Sequence, residues 1–248
     1  MLFRSQQAFD LAERLQTPVF VLSDLDLGMN NWMSEPFAYP GKDLDRGKVL
    51  DDAALAKLEK FERYRDVDGD GIPYRTLPGT RDWKGAYFTR GSGHDEAARY
   101  TESPEAYARG LDRLKKKLET ARLLVPAPEL FETPGAEVGV IAFGSSDGAV
   151  HESRDQLAVA GIATSYLRVR GLPFHPSIAD FVRKHTRVYV VEQNRDAQLA
   201  SRVQLEVPEC AGRVRSVLHY IGLPLDAASV TEGVLAHEKT PVVQGATR

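Results

Sequence analysis

The sequence predicts an α/β protein built on a doubly wound parallel sheet, preceded by a helix, a single strand and a long ordered loop region. Three observations carry this. From residue 136 onward short apolar runs alternate with helical segments, the rhythm of βαβ units. The first of those runs, Val138–Phe143, is wholly apolar, as in strands buried on both faces. The stretch Gly71–Glu96 is too rich in Gly, Pro and charge for a helix and too long for a turn, yet Tyr74, Trp83, Tyr87 and Phe88 argue against disorder.

The chain opens with a helix in which Ala8, Leu11, Ala12 and Leu15 recur at helical spacing. Pro18 ends it, and Val19–Leu22 reads as a short buried strand that has no nearby strand to pair with. Leu27–Lys48 is irregular. Asp51 or Asp52 caps a helix to about Tyr64, with Leu55, Leu58 and Phe61 inward. Ser103-Pro104 opens the clearest helix, Ser as N-cap and Pro at the first helical position, with Tyr107, Leu111, Leu114 and Leu118 on one stripe. Lys115–Lys117 read as a solvated face late in that helix, where its dipole favours cations. Val125–Gly135 is a linker by composition.

The sheet domain then supplies strands Val138–Phe143, Ile162–Val169, Val188–Val191 and Val214–Leu218. Helices lie between them, ending near Gly161, starting at Pro176-Ser177 and covering Arg195–Gln204, with a last helix over Asp226–His237. The tail from Lys239 is expected to fray. Three regions result: 1–35, 36–135 with the loop 71–96, and 136–248.

Several motifs have both a chemical and a structural reading. Asp66-x-Asp68-x-Asp70-Gly71 matches half an EF-hand loop, but its twelfth position is Leu77 and Pro73 interrupts it, so a tight turn is expected. Gly144-Ser145-Ser146-Asp147-Gly148 joins a strand to a helix; Asp147 would repel an anion, which points to capping. His94-Asp95-Glu96 can supply a general base, a metal ligand or only loop hydrogen bonds, and Ala98 in place of a second His excludes a zincin-type pair. Arg75 can grip a carboxylate through two parallel hydrogen bonds or form a surface ion pair.

Composition narrows the function classes. The 248 residues are 42% hydrophobic and 27% charged with a net charge of −3, which describes an ordinary globular protein with no bias toward nucleic acid or anionic membranes. One cysteine, Cys210, excludes an internal disulfide, a cysteine-ligated zinc site and a four-cysteine iron–sulfur cluster held by this chain alone. No apolar run spans a membrane and the N-terminus is not a signal peptide, so cytoplasmic residence is expected. No metal site is expected.

Six ordered stretches go further: PVFVLSDLDLGMNNW (18–32), DGIPYRTLPGT (70–80), GAYFTRGSGHDE (85–96), YLRVRGLPF (166–174), VYVVEQNRDAQL (188–199) and SVLHYIGLPL (216–225). Together they resemble the C-terminal part of the α subunit of 2-oxoacid:ferredoxin oxidoreductases, most of all the 2-oxoglutarate type. The resemblance implies a transketolase C-terminal-like domain over 136–248 and, over 1–35, the last helix and strand of the domain that binds the pyrimidine side of thiamine diphosphate. It implies oxidative decarboxylation of a 2-oxoacid to an acyl-CoA, with electrons passing through iron–sulfur centres to ferredoxin.

By the same resemblance a β subunit holds the diphosphate, the magnesium ion and the cluster cysteines. The cofactor-activating glutamate and the Y-P-I-T-P-type motif of the family lie upstream of what this chain contains, so the chain is expected to be inactive alone. Mapped onto this sequence, Arg75 is the expected partner of the substrate carboxylate, with Thr89 and His94 nearby. Gln193, Asn194 and Asp196 follow a strand's C-terminal end, where open sheets place ligands, and are expected on the substrate side or at a subunit contact. The alternative is a non-catalytic assembly module.

Overall fold

The computed structural model describes residues 2–31, 33–36, 41, 43–90 and 93–239. The chain divides into two compact units, one of Met1–Leu22 with Met33–Val125 and one of Ser23–Trp32 with Pro126–Arg248.

In the first unit, α1 (Leu2–Leu15) forms as its spacing predicts and stops where Gln16 takes a positive φ of 49°. Leu11 and Leu15 pack on Ile72, Ala121 and Leu124. The strand expected at Val19–Leu22 is absent. These residues have no ladder partner among the described residues, and Phe20 and Leu22 are 83% and 90% exposed. An unpaired strand has no backbone hydrogen bonds to hold it. The short helix α2 (Leu25–Gly28), capped by the Asp24 carboxylate, belongs to the second unit.

Asp51 caps α3, which covers only Asp52–Ala56 rather than running on to Tyr64. It ends because Lys84 inserts its ammonium against the carbonyls of Leu55 (2.8 Å) and Leu58 (2.9 Å) and closes the turn. Leu55 is fully buried, whereas Leu58 faces outward.

Ser103 caps α4 (Pro104–Ala121) by accepting from the Ala106 amide. Its leucine stripe points away from the unit: Tyr107, Leu111, Leu114 and Leu118 are all exposed. The inner face carries Ala106 and Ala121, with Arg113 and Lys117 half-buried. Of the lysine run, Lys115 and Lys116 are solvated as expected and Lys117 is not.

The second unit is the sheet domain. Its five strands, β1 (Glu129–Phe131), β2 (Val138–Phe143), β3 (Thr164–Val169), β4 (Arg187–Glu192) and β5 (Val214–Leu218), lie in the order β1-β3-β2-β4-β5. All neighbours are parallel except β1, which pairs antiparallel with β3 and occupies the edge. β1 falls inside the stretch read as linker: three residues between prolines are too few to show a strand period.

Helices cover both faces. α5 (Ser146–Val159) and α8 (Ala227–Lys239) pack over Val138, Val140, Tyr166 and Val191, while α6 (Ser177–Lys184) and α7 (Gln198–Glu206) pack over Ile141, Leu167, Val188 and Val190. Gly139 on β2 admits this layer closely, since a Cβ there would sit 2.6 Å from the Phe181 ring. The chain winds one way through α5 and the other way through α6, so the carboxyl ends of β2 and β4 meet at a topological switch point. Apart from Lys239, the expected frayed tail lies outside the described residues.

Candidate functional site

Within the first unit the loop from Gly71 to Glu96 is held by specific contacts. Asp66 accepts from the amides of Asp70 (3.1 Å) and Gly71 (3.0 Å), making the tight turn expected of the Asp-rich run. The ammonium of Lys48 lies between Asp68 (2.6 Å) and Asp70 (2.8 Å) and also donates to the Ile72 carbonyl. A lysine thus stands where a calcium loop would place its ion. Gly71 has φ +79°, and a Cβ there would lie 2.3 Å from the Lys117 amide, so only glycine lets the loop touch α4. Further along, buried Thr76 donates to the Gly85 carbonyl at 2.7 Å.

Arg75 is 16% exposed and already engaged. Its guanidinium donates to the Glu13 carboxylate and to the Arg46 carbonyl (3.0 Å). Glu13 also accepts from Arg46 Nε at 2.7 Å. The hydrogen bond from Arg46, followed by the contact with Arg75, outweighs partial burial and holds the Glu13 carboxyl below its usual range.

His94 and Thr89 converge on Tyr64. The imidazole of His94 stacks on the Tyr64 ring, centroids 3.9 Å apart and planes 21° from parallel, with Nδ1 3.2 Å from the Asp95 carbonyl. The Tyr64 hydroxyl donates to Thr89 Oγ1 at 3.4 Å. Two guanidinium groups lie over the same ring, Arg63 at 4.8 Å and Arg113 at 5.6 Å from its centroid. A cleft of about 150 Å³ opens here, lined by Tyr64, His94, Arg109, Gly110 and Arg113, with Asp66, Asp95 and Glu96 at its sides.

Among the expected residues, then, His94 and Thr89 share this cluster through Tyr64, while Arg75 is bound up with Glu13. Tyr64 and Arg113 went unnoticed in the sequence. The only sign of Arg113 was its place opposite the leucine stripe, together with Arg109 at four-residue spacing.

In the second unit the switch point gathers polar groups. Glu192, at the end of β4, is fully buried and accepts from the amides of Leu199 (2.8 Å) and Ala200 (3.1 Å) and from Asn194 Nδ2 (2.6 Å). It therefore closes the N-terminus of α7. Asn194 Oδ1 accepts from the Asp196 and Gln198 amides, and Asp196 takes Arg195 Nε at 2.8 Å. Gln193 bridges to the hydroxyls of Ser145 and Ser146, at 3.2 and 3.3 Å.

Ser145 makes no cap of its own for α5; its amide donates to Asp24 at 3.4 Å. Burial opposes ionisation of Asp24, yet hydrogen bonds from Leu27 and Ser145 hold its carboxyl below the usual range. Asp147 turns instead to the Tyr166 hydroxyl (2.9 Å) and Arg168 (3.1 Å). Among the described residues no group of three or more His, Cys, Asp or Glu side chains is arranged to hold a metal ion.

No protein-family model matches the chain. Sequence relatives are nonetheless evident. It is 27% identical over 240 residues, 92% of its length, to the α subunit of a 2-oxoacid:ferredoxin oxidoreductase from Saccharolobus solfataricus. It is 29% identical over 206 residues, 78% of its length, to the α subunit of 2-oxoacid:ferredoxin oxidoreductase 2 from Aeropyrum pernix. These matches cover 36% and 30% of the two relatives, so the chain spans about a third of their length.

Its fold matches the solved 2-oxoglutarate:ferredoxin oxidoreductase from Magnetococcus marinus, which has 2-oxoglutarate, coenzyme A and succinyl-CoA bound. The TM-score is 0.76 at 24% identity, over 92% of this chain and 38% of that one. The chain is, along nearly its whole length, a homologue of about one third of the α subunit of the 2-oxoacid:ferredoxin oxidoreductases.

Proposed function

We propose that the chain works as the C-terminal part of such an α subunit, in an assembly that converts a 2-oxoacid to its acyl-CoA and passes electrons to ferredoxin. The observation that carries this reading is the similarity to named α subunits along 92% of the chain. The first unit is then the substrate-facing part, with His94 as the acid–base candidate and Thr89 beside it. For Arg75 to take the substrate carboxylate it must exchange Glu13 for the substrate, one carboxylate for another on the same guanidinium.

Thiamine diphosphate would supply the carbanion chemistry in such an assembly. The residues described do not fit its diphosphate. The N-terminus of α5, where amides gather, faces the Asp24 carboxylate and is followed by Asp147. On this reading the cofactor, its magnesium ion and the iron–sulfur centre belong to other segments and to a β subunit.

A second reading has its own support. Gln193, Asn194 and Asp196 are all engaged in local hydrogen bonds or ion pairs, which favours a structural or interface role for the sheet unit.

The test is reconstitution with the remaining α-subunit segments and a β subunit, assaying CoA-dependent dye reduction with 2-oxoglutarate, pyruvate and a branched-chain 2-oxoacid. The expected outcome is activity that needs this chain, with KM raised at least tenfold by Arg75→Met and kcat reduced by His94→Gln. Full activity without the chain would overturn the enzymatic reading, and an unchanged KM in Arg75→Met would remove the carboxylate role.

A further inference from the structure

The cleft beside His94 contains a guanidinium, that of Arg113, which forms no ion pair within 4.0 Å among the described residues. The three carboxylates of the cleft are committed elsewhere. Glu96 pairs with Arg109 Nε at 2.8 Å, Asp95 accepts from the amides of Ala97 and Arg99, and Asp66 holds the turn at Asp70 and Gly71. The cations Arg63, Arg113 and Lys117 form no ion pair among the described residues. Arg63 is tied to Gln16 and the Tyr74 carbonyl, and Lys117 to Thr17 and the Gln16 carbonyl.

Arg113 differs from both. It donates one N–H, to the Gly71 carbonyl at 3.1 Å, and its other donors are not sealed from solvent. Burial, and then the like charge of Arg63, lowers its proton affinity by more than Tyr64 and Asp66 restore it.

We infer that this cleft binds a small monocarboxylate, gripped by Arg113 and flanked by the stacked rings of Tyr64 and His94. The guanidinium offers a planar pair of donors matched to a carboxylate. With its Nδ1 proton given to the Asp95 carbonyl, His94 presents a second nitrogen able to bind a keto or hydroxyl group when protonated or bridged by water. A cavity of about 150 Å³ takes about six heavy atoms, the size of a benzene ring. At Gly110 an added Cβ meets nothing within 4 Å, so that side of the cleft is open. The flanking carboxylates of Asp66, Asp95 and Glu96 disfavour multiply charged anions. The inference concerns this chain alone and does not depend on the assembly in which it works.

The test is ¹⁵N-resolved titration of the intact chain with pyruvate, propanoate and inorganic phosphate. Pyruvate and propanoate are expected to shift the His94 and Gly110 amides saturably at millimolar concentration, with phosphate at least tenfold weaker. Arg113→Gln should weaken pyruvate at least tenfold and Arg113→Lys less. Should Arg113→Gln fail to fold, Arg113→Lys and a bulky Gly110→Leu, expected to block the cleft, carry the same test. Absence of saturable shifts, phosphate binding as tight as pyruvate, or pyruvate binding unchanged in Arg113→Gln would each overturn the inference.

Discussion

The two units are held together by different physics. The sheet unit has continuous ladders and two apolar layers, so its register and its core reinforce each other. The loop-rich unit has a small cluster around Leu15, Ile72 and Ala121, with Leu55 buried apart from it. It depends instead on side chains that tie distant backbone together: Lys48 to Ile72, Lys84 to Leu55, Arg113 to Gly71 and Lys117 to Gln16. The sheet unit should therefore resist any single surface change yet fail when its core is breached. The loop unit should respond to charge and pH.

The largest effect is expected from breaching the sheet unit at Glu192. Glu192→Ala removes the acceptor for the buried amide of Ala200, the partly buried amide of Leu199 and the Asn194 side chain, at a cost of about 3–5 kcal/mol. Calorimetry should show the transition of that unit falling markedly in temperature. A loss under 1 kcal/mol would mean that the N-terminus of α7 does not need this carboxylate.

Next comes the charge dependence of the loop unit. The folded-state pKa of Glu13 lies below its usual 4.5, because of Arg46 first and then Arg75. The stabilisation is thus fully present above that value and is lost as pH falls below it. Glu13→Gln should cost about 1 kcal/mol at neutral pH, the pair being partly exposed, and should flatten the acid limb of the unit's stability profile. Equal acid sensitivity in the wild type and the variant, followed by tryptophan and tyrosine fluorescence, would contradict it.

The smallest effect is expected on α4. Leu111→Lys and Leu118→Lys replace exposed leucines and should change stability by less than about 0.5 kcal/mol while raising the concentration at which the chain aggregates. A loss above 2 kcal/mol, measured by urea unfolding, would show that the stripe is packed in solution.

The same contrast explains what could be read in advance. Val138–Phe143 and Val188–Val191 are apolar runs, and they form the strands that such runs predict. The N-caps Asp51 and Ser103 act locally, within three residues, and were legible for that reason. The loop unit is a set of long-range contacts. Arg75 shows its capacity to bind a carboxylate in the sequence, but nothing there marks Glu13, 62 residues earlier, as its partner. Likewise α4 has an apolar stripe that pattern alone would turn inward. The opposite face is the one that meets the loop, because Gly71 approaches α4 too closely for a large side chain and Arg113 reaches its carbonyl.

Lys48 and Lys117 both lie against carbonyl oxygens of the loop unit, but the difference between their surroundings makes them chemical opposites. Burial weakens the proton on Lys48, yet Asp68 and Asp70 more than restore it, and its affinity ends above the ordinary lysine value. For Lys117 burial comes first and the charges of Arg113 and Arg63 add to it, so its affinity ends below. An amine attacks electrophiles only after losing its proton. Lys48 is held firmly as an ammonium ion between its two carboxylates. Lys117 gives up its proton more readily, behind the hydrogen bonds it makes to the Gln16 carbonyl and the Thr17 hydroxyl.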